Sequence, residues 1–509
     1  MVSLVYSAGL TGIQGYIVTV ECFFSNGLPR LDLVGLPGKA VAEAGERVRA
    51  AIQCTGFEWP VARITINLAP ADVRKEGPVY DLPILLAILA ASGQIQPPAQ
   101  TDLFLGEVSL TGALRPISGA LSMALAARDA GFRRVYVPVG NAAEAAYATG
   151  VEVYAVETFS QLINHLEHGE RLPVCAPPTP SDTPQDALDF CHVLGQQTVK
   201  RALEIAAAGG HNVLLCGPPG SGKSMMAKRF SGILPPLDPA ERLEVIRIWS
   251  AVGQGAQAAQ MAGRPVRSPH HTTSAQALAG GTGKAGRLPQ PGEISLAHNG
   301  VLFLDEFPEF RSDALEVLRQ PLEDGVVSIS RAVGRVSYPA RFQLIAAMNP
   351  CKCGWYGTPR CTCTPQAVRQ YIRRLSGPLL DRIDLQVAVQ PVSYAALAGR
   401  TARSEEEHSS VIRERVLAAR ARQRDRLSGL GLQHTNAQIP PAHIGELCPV
   451  DAAGQSMLES AFERLGLTAR AYDRLLRVAR TIADLDGADT LGASHIAEAL
   501  SYRTIDRLR

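Results

Sequence analysis

Little in this sequence commits it to a membrane, a disulfide scaffold or a polyanion. Its longest apolar stretch, near Leu82 to Ala91, contains Pro83 and is about half the length a bilayer-spanning helix needs. Lysine and arginine number 50 against 48 acidic residues, a net charge of +2. A nucleic-acid site therefore has to be a local concentration of basic side chains, not a property of the whole chain. No basic run precedes an apolar segment at the start. MVSLVYSAGLTGIQGYIVTV reads as strand, turn and strand, so no signal peptide is expected and the expected location is the cytoplasm. Ten cysteines in 509 residues do not make a disulfide framework. Four of them crowd between Cys351 and Cys363, and the others are expected to be small buried apolar residues.

A chain of 509 residues exceeds what one core supports, so several domains are expected. Residues 1–171 alternate β-like and helical runs. The β-branched run from Tyr16 to Phe24 predicts a strand, Ala40 to Cys54 a helix, and Arg63 to Leu68 a strand. Helices are expected at Leu82 to Ser92 and Ser118 to Ala130, with an α+β domain as the outcome. Residues 172–189, LPVCAPPTPSDTPQDALD, have little to bury and read as a linker.

Beyond the linker, the short apolar run Asn212 to Cys216 breaks into Gly217-Pro218-Pro219-Gly220-Ser221-Gly222-Lys223-Ser224 and then a helix-prone segment. Strand, GxxxxGK[ST] loop and helix form the context of a phosphate site. The glycines let backbone amides curl round a β-phosphate, Lys223 reaches the β and γ oxygens, and Ser224 is suited to a magnesium ion. Roughly eighty residues on, Val301-Leu302-Phe303-Leu304 ends in Asp305-Glu306. Neighbours on a strand point to opposite faces, so Asp305 suits the magnesium shell while Glu306 can orient and deprotonate a water. A third apolar strand, Phe342 to Met348, ends at Asn349, an amide able to hold that water beside the phosphates. LSGPLLDRIDL sets Arg382 between two acids, where a lone arginine is more often a surface ion-pair partner.

These signals in this order resemble an AAA+ ATPase. RSPHHTTSAQALAGG, PGEISLAHNGVLFLDEFPEF and SGPLLDRIDL are similar to the magnesium-chelatase-like branch, specifically the YifB/ComM family, over nearly the whole chain. The resemblance implies an AAA+ P-loop ATPase core (190–390) with an α-helical lid and C-terminal domain (391–509), preceded by an α+β Lon-protease-like domain. Asn349 then matches sensor 1, Arg382 an arginine finger serving a neighbouring subunit, and Arg470 the sensor 2 position, with Arg474 one turn later. KEGPVYDLPILLAIL and the glycine, strand and helix order after it look like the Lon proteolytic domain. Val79 and Leu121 stand at the positions of its Ser and Lys, so no peptidase activity is expected. Ser92 and Lys75 read as helix-end and surface residues.

The family further implies ATP and Mg2+, a homo-hexameric ring, and DNA as the substrate of a helicase that moves branched strands during recombination in natural transformation, with recombination proteins as partners. A magnesium-chelatase-type subunit and a protein-remodelling factor are the alternatives. In related rings, inserts and hairpins line the pore, making Lys284, Arg287, Arg331 and Arg335 candidates for DNA phosphates. His270 and His271 suit a loop role better than a metal. Cys351, Cys353, Cys361 and Cys363 have CxC…CxC spacing, compatible with a structural zinc or with free or redox-active thiols. The arginine run from Arg413 to Arg426 is expected to be a solvated helix face.

Overall fold

In a computed structural model of the chain, residues 2–179, 188–281, 288–331, 334–391, 406–430, 435–465 and 467–503 are described. The N-terminal part is built on a seven-stranded mixed sheet. Strand alternation decides its faces: in Arg63–Ala69, Ile64, Ile66 and Leu68 are buried while their neighbours are not. Its long strand Val2–Thr11 pairs antiparallel along its whole length with residues 14–23 of the strand Gln14–Ser25. Asp102–Phe104, Arg134–Pro138 and Glu152–Val156 extend it in parallel. Helix Asp81–Ala91 is buried all round and, after Asp81, apolar all round, the behaviour expected of a helix enclosed on every side.

The second sheet has five parallel strands in the order Val266–Arg267, Val301–Leu304, Gln343–Met348, Val213–Cys216 and Leu385–Ala388. The last four are short apolar runs, as expected of a parallel sheet covered on both faces. Val213, Leu215, Phe303, Ile345 and Val387 face one core with helices Gln197–Gly209, Ser409–Ser428 and Ala469–Leu485. Leu214, Leu302, Leu304, Ala346 and Met348 face the other, with Phe307, Leu315 and the hairpin of Val326–Arg331 and Gly334–Pro339.

Helices Pro239–Ala251 and Gly255–Gln260 belong to the ATPase-like segment in sequence, yet Val245, Ile246, Trp249 and Ala259 complete the core of the N-terminal sheet. Polar contacts bind the same seam: Gly119 N donates to Ser250 O at 2.8 Å, Arg247 to Ile13 O at 3.1 Å, and Tyr147 Oη to Ala259 O at 3.1 Å. The two sheets therefore share one apolar seam.

Three expectations are corrected. Lys75 is not at the surface: its backbone is pinned between Leu36 and Gly38, turning the side chain inward onto Pro70 O, and it is fully buried. Cys54 is exposed, since it ends helix Ala44–Cys54 on the face away from Val48 and Ile52. The arginine run is not simply solvated. Arg415 pairs with Glu204 and Glu407, Arg420 donates to Ala207 O, and Arg426 holds Asp484 and Asn436, so helix Ser409–Ser428 is clamped onto its two neighbours.

The N-terminal core also encloses a charge. Asp81 is fully buried and takes two hydrogen bonds from Arg47, at 2.7 and 2.9 Å. Burial pushes its carboxyl up to about 6 against the pull of Arg47. A carboxyl raised in the folded state contributes stability that is lost as pH rises through the folded value. Arg47→Met is therefore expected to cost about 3 kcal/mol at pH 8, the size of an uncompensated buried charge, and clearly less at pH 5, where Asp81 can take a proton. Thermal unfolding at the two pH values checks this, and Arg47→Met with Asp81→Asn should recover most of the loss. An equal loss at both pH values would contradict it.

Candidate functional site

The loop after Val213–Cys216 is shaped by its glycines. A Cβ on Gly217 would lie 2.4 Å from Val389 O, and Gly220 and Gly222 have φ of +75° and +90°, values open to glycine and costly for other residues. Helix Lys223–Arg229 starts at Gly222 with no side-chain cap, which leaves its first amides for an anion. Ser221 Oγ is buried and has no hydrogen-bond partner among the described residues, an orphan that a phosphate oxygen would satisfy. Lys223 Nζ donates to Gly217 O and Pro218 O, both at 2.8 Å, and to Asn349 Oδ1 at 3.2 Å. Burial lowers the pKa of this ammonium below the ordinary lysine value, so a phosphate arriving there would supply the counter-charge it lacks.

Because the strands are parallel, their carboxyl ends gather at one edge. Cys216, Leu304 and Met348 end side by side, which brings Asp305 and Asn349 to the loop. Ser224 Oγ donates to Asp305 Oδ2 at 2.6 Å, and Asp305 Oδ1 accepts from the Glu306 amide at 2.9 Å. A hydroxyl and a carboxylate converging beside a phosphate loop form a hard-oxygen donor set that fits Mg2+. Glu306 has φ of +51°, an uncommon left-handed conformation for a non-glycine residue. Its half-exposed carboxylate meets His271 Nδ1 at 2.9 Å. By sequence His271 reads only as a loop residue, and a contact across 35 positions has no local pattern to reveal it.

Arg382 and Arg470 lie elsewhere. Arg382 precedes the strand Leu385–Ala388, and its carbonyl accepts from Asn212 Nδ2 at 2.9 Å. Both residues lie at the amino edge of the sheet, opposite the phosphate loop. Arg382 bonds Glu323 and donates to Pro378 O at 2.6 Å, while its buried Nε has no partner among the described residues. The Arg382 bond holds the Glu323 carboxyl below its usual range. Arg470, Arg474 and Arg477, from helix Ala469–Leu485, join Arg341, Arg382 and Glu323 around a cavity of about 700 Å³. The expected lid position of Arg470 over its own phosphate loop is thus not the arrangement found. It shares the cavity of Arg382, because its helix packs across the amino edge.

Arg331 and Arg335 are exposed at the outer end of the hairpin Val326–Pro339. Lys284 and Arg287 lie outside the described residues. The strands on either side of them, Gly280–Gly281 and Gln290–Pro291, pair antiparallel, and Pro289 O accepts from Tyr338 Oη. The two hairpins therefore stand against each other. The four clustered cysteines converge immediately after Asn349, with all their sulfur atoms within 4.8 Å of one another.

A parallel sheet with a glycine-rich phosphate loop, a strand-end acid on the loop serine and a strand-end amide on the loop lysine defines a P-loop ATPase-like core. Comparison with known proteins makes this narrower. Residues 189–397 match the family described as magnesium chelatase, subunit ChlI; residues 20–141 match subunit ChlI of Mg-chelatase, and 406–503 its C-terminal part. The chain is 45% identical to the uncharacterized protein YifB of Escherichia coli K12 over 509 residues, 99% of this chain and 98% of that protein. It is 42% identical to competence protein ComM of Haemophilus influenzae over 511 residues, again 99% and 98%. The magnesium-chelatase 38 kDa subunit of Rhodobacter capsulatus is 24% identical over 63% of this chain and 87% of that protein. The chain belongs to the YifB/ComM magnesium-chelatase-like family. It is by family an AAA+-type ATPase, which implies use of ATP with Mg2+.

Lys223→Ala removes the one cation within the loop and is expected to weaken ATP binding on the order of 100-fold, the scale of one or two charge-assisted hydrogen bonds. Titration with a fluorescent nucleotide reads this directly, and near-normal affinity would contradict the assignment of the loop.

Proposed function

We propose that the chain is an ATP-hydrolysing ring motor on DNA, a homo-hexameric helicase that moves branched strands during recombination in natural transformation. The observation carrying this reading is the separation of two charged groups. Lys223, Ser224, Asp305, Glu306 and Asn349 stand at or beside the carboxyl edge of the sheet, and the Arg382 and Arg470 cavity at the amino edge. One chain cannot bring both to one nucleotide, whereas adjacent copies in a ring can. Competence protein ComM, similar over 99% of this chain, supports the competence setting of this reading.

In this reading the loop amides and Lys223 hold the β and γ oxygens, Lys223 exchanging the Gly217 and Pro218 carbonyls for phosphate. Asn349 orients a water, and Glu306 takes its proton as that oxygen attacks the γ-phosphorus and the bond to the β,γ-bridging oxygen breaks. Mg2+, held by Ser224 and Asp305, supplies charge neutralisation to the triphosphate. Arg382, and with it Arg470, leaves its own-chain partners to meet charge on the neighbour's γ-phosphate, a contribution typically worth about 10³ to 10⁵ in rate. The paired hairpins carry Arg331 and Arg335 toward DNA phosphates, which position strands without reading sequence. Residues 1–171 act as a Lon-like assembly domain without peptidase activity, in keeping with buried Val79 and Leu121 at the positions where that chemistry needs Ser and Lys. The chelatase match over 63% of the chain supports a second reading, a subunit driving metal insertion; DNA-dependent turnover separates the two.

Migration of a synthetic four-way junction with ATP and Mg2+ tests the proposal. The expected result is ATP-dependent movement that Arg331→Glu with Arg335→Glu abolishes while leaving DNA-free turnover intact. No movement, together with turnover indifferent to DNA, would contradict it. Glu306→Gln is expected to bind ATP normally and to lose at least about 100-fold in turnover, the scale of a general base. His271→Ala removes the imidazole that stands 2.9 Å from the Glu306 carboxylate, so DNA-free turnover is expected to rise about tenfold with unchanged ATP affinity. Unaltered turnover in either variant would contradict the role given to Glu306.

A further inference from the structure

The cysteine quartet has the geometry of a metal site. Cys351 and Cys353 Sγ lie 3.3 Å apart, Cys351 and Cys361 3.9 Å, and Cys353 and Cys361 3.7 Å. All four sulfurs, Cys363 included, fall within 4.8 Å of one another, and none is in a disulfide. A tetrahedron of sulfurs around one zinc at about 2.3 Å has edges of about 3.8 Å. An iron–sulfur cluster needs its thiolates spread round a wider body, so these separations suit a single ion.

The surroundings supply the hydrogen bonds that metal-bound thiolates accept. The amides of Trp355 and Thr362 point to the Cys353 sulfur, that of Cys363 to the Cys361 sulfur, and that of Cys353 to the Cys363 sulfur. Two tight turns make this possible: Gly354 N donates to Cys351 O at 2.9 Å, and Cys361 N to Thr358 O at 3.1 Å. Cys351 is fully buried in the core beneath the sheet, and the other three are half-buried.

We propose that Cys351, Cys353, Cys361 and Cys363 bind one structural Zn2+, and that the metal-locked turn is a strut for the phosphate loop. The turn begins two residues after Asn349. Gly354, at φ of +86°, passes so close to the loop that a Cβ there would lie 2.7 Å from Pro219 Cδ and 3.9 Å from Asn349 Cγ. Fixing the turn fixes both the residue that Lys223 bonds and the proline beside the loop glycines. The strut role rests on the reading of Gly217 to Ser224 as the nucleotide site; the metal site does not.

Metal analysis of the full-length protein, purified in reducing buffer without added metal and washed with EDTA, tests the first half. About one zinc per chain is expected, falling to background in Cys353→Ser with Cys361→Ser. Protein stripped with a thiol reagent, reduced again and given Co2+ should show the ligand-field bands of a tetrahedral tetrathiolate. Zinc near zero together with no cobalt spectrum would overturn the site, and one iron per chain would overturn its assignment to zinc. These measurements need no nucleotide, so they stand whether or not the ATPase reading does. Gly354→Ala keeps all four thiolates and tests the strut. It is expected to retain zinc and to bind a fluorescent ATP analogue about tenfold more weakly, and unchanged affinity with zinc in place would overturn that role.

Discussion

The 2.6 Å hydrogen bond from Ser224 to Asp305 and the 3.2 Å bond from Lys223 to Asn349 depend on one constraint, the parallel register of three neighbouring strands. Slipping the Gln343–Met348 strand by one residue would turn Ile345 and Ala347 from one core to the other. Burial on both faces forbids the slip, so the apolar cores fix the polar site. Three short runs with almost no polarity of their own thereby deliver a lysine, a serine, an acid and an amide to one point.

The same parallel direction dictates what that point lacks. Residues that enter strands, such as Arg382, stand at the far edge, and the helix bearing Arg470 packs there with them. In the proposed reading a second copy completes the site, because Arg382 and Arg470 stand at the edge opposite the phosphate loop. The N-terminal sheet is tied into this arrangement through the turn at Gly12 and Ile13. Ile13 O accepts from Arg247, and a Cβ on Gly12 would lie 2.7 Å from Val336 of the hairpin. The N-terminal sheet, the shared helices and the hairpin therefore meet at one turn.

The local parts of the site were legible because they are local. GxxxxGKS after an apolar run states strand, loop and helix in thirteen residues, and Leu304-Asp305-Glu306 and Met348-Asn349 state strand ends. The N-terminal strands were legible from their β-branched runs, with boundaries shifted by one or two residues, as where Tyr16 to Phe24 extends to Gln14–Ser25. Long-range choices were not legible. Lys75 reads as a surface lysine until the Leu36 to Gly38 segment closes over it, and Pro239–Ala251 reads as part of the ATPase segment although Trp249 completes the other core. Charges were the hardest to place. Besides the nearby Glu407, the arginines of Ser409–Ser428 find acids more than fifty residues away in Glu204 and Asp484, so a clamp between helices looks like a solvated face.

The central claim is that one nucleotide is served by two chains, and mixing two inactive variants tests it most directly. Lys223→Ala keeps Arg382 but binds ATP on the order of 100-fold more weakly and lacks the lysine its own γ-phosphate needs; Arg382→Ala holds ATP but lacks the arginine its neighbour needs. Each alone should hydrolyse ATP at background rate, and mixed assemblies should regain turnover as a Lys223→Ala chain lends Arg382 to the intact phosphate loop beside it. Full turnover by Arg382→Ala alone, or no recovery in assemblies shown to contain both variants, would contradict a site shared between subunits.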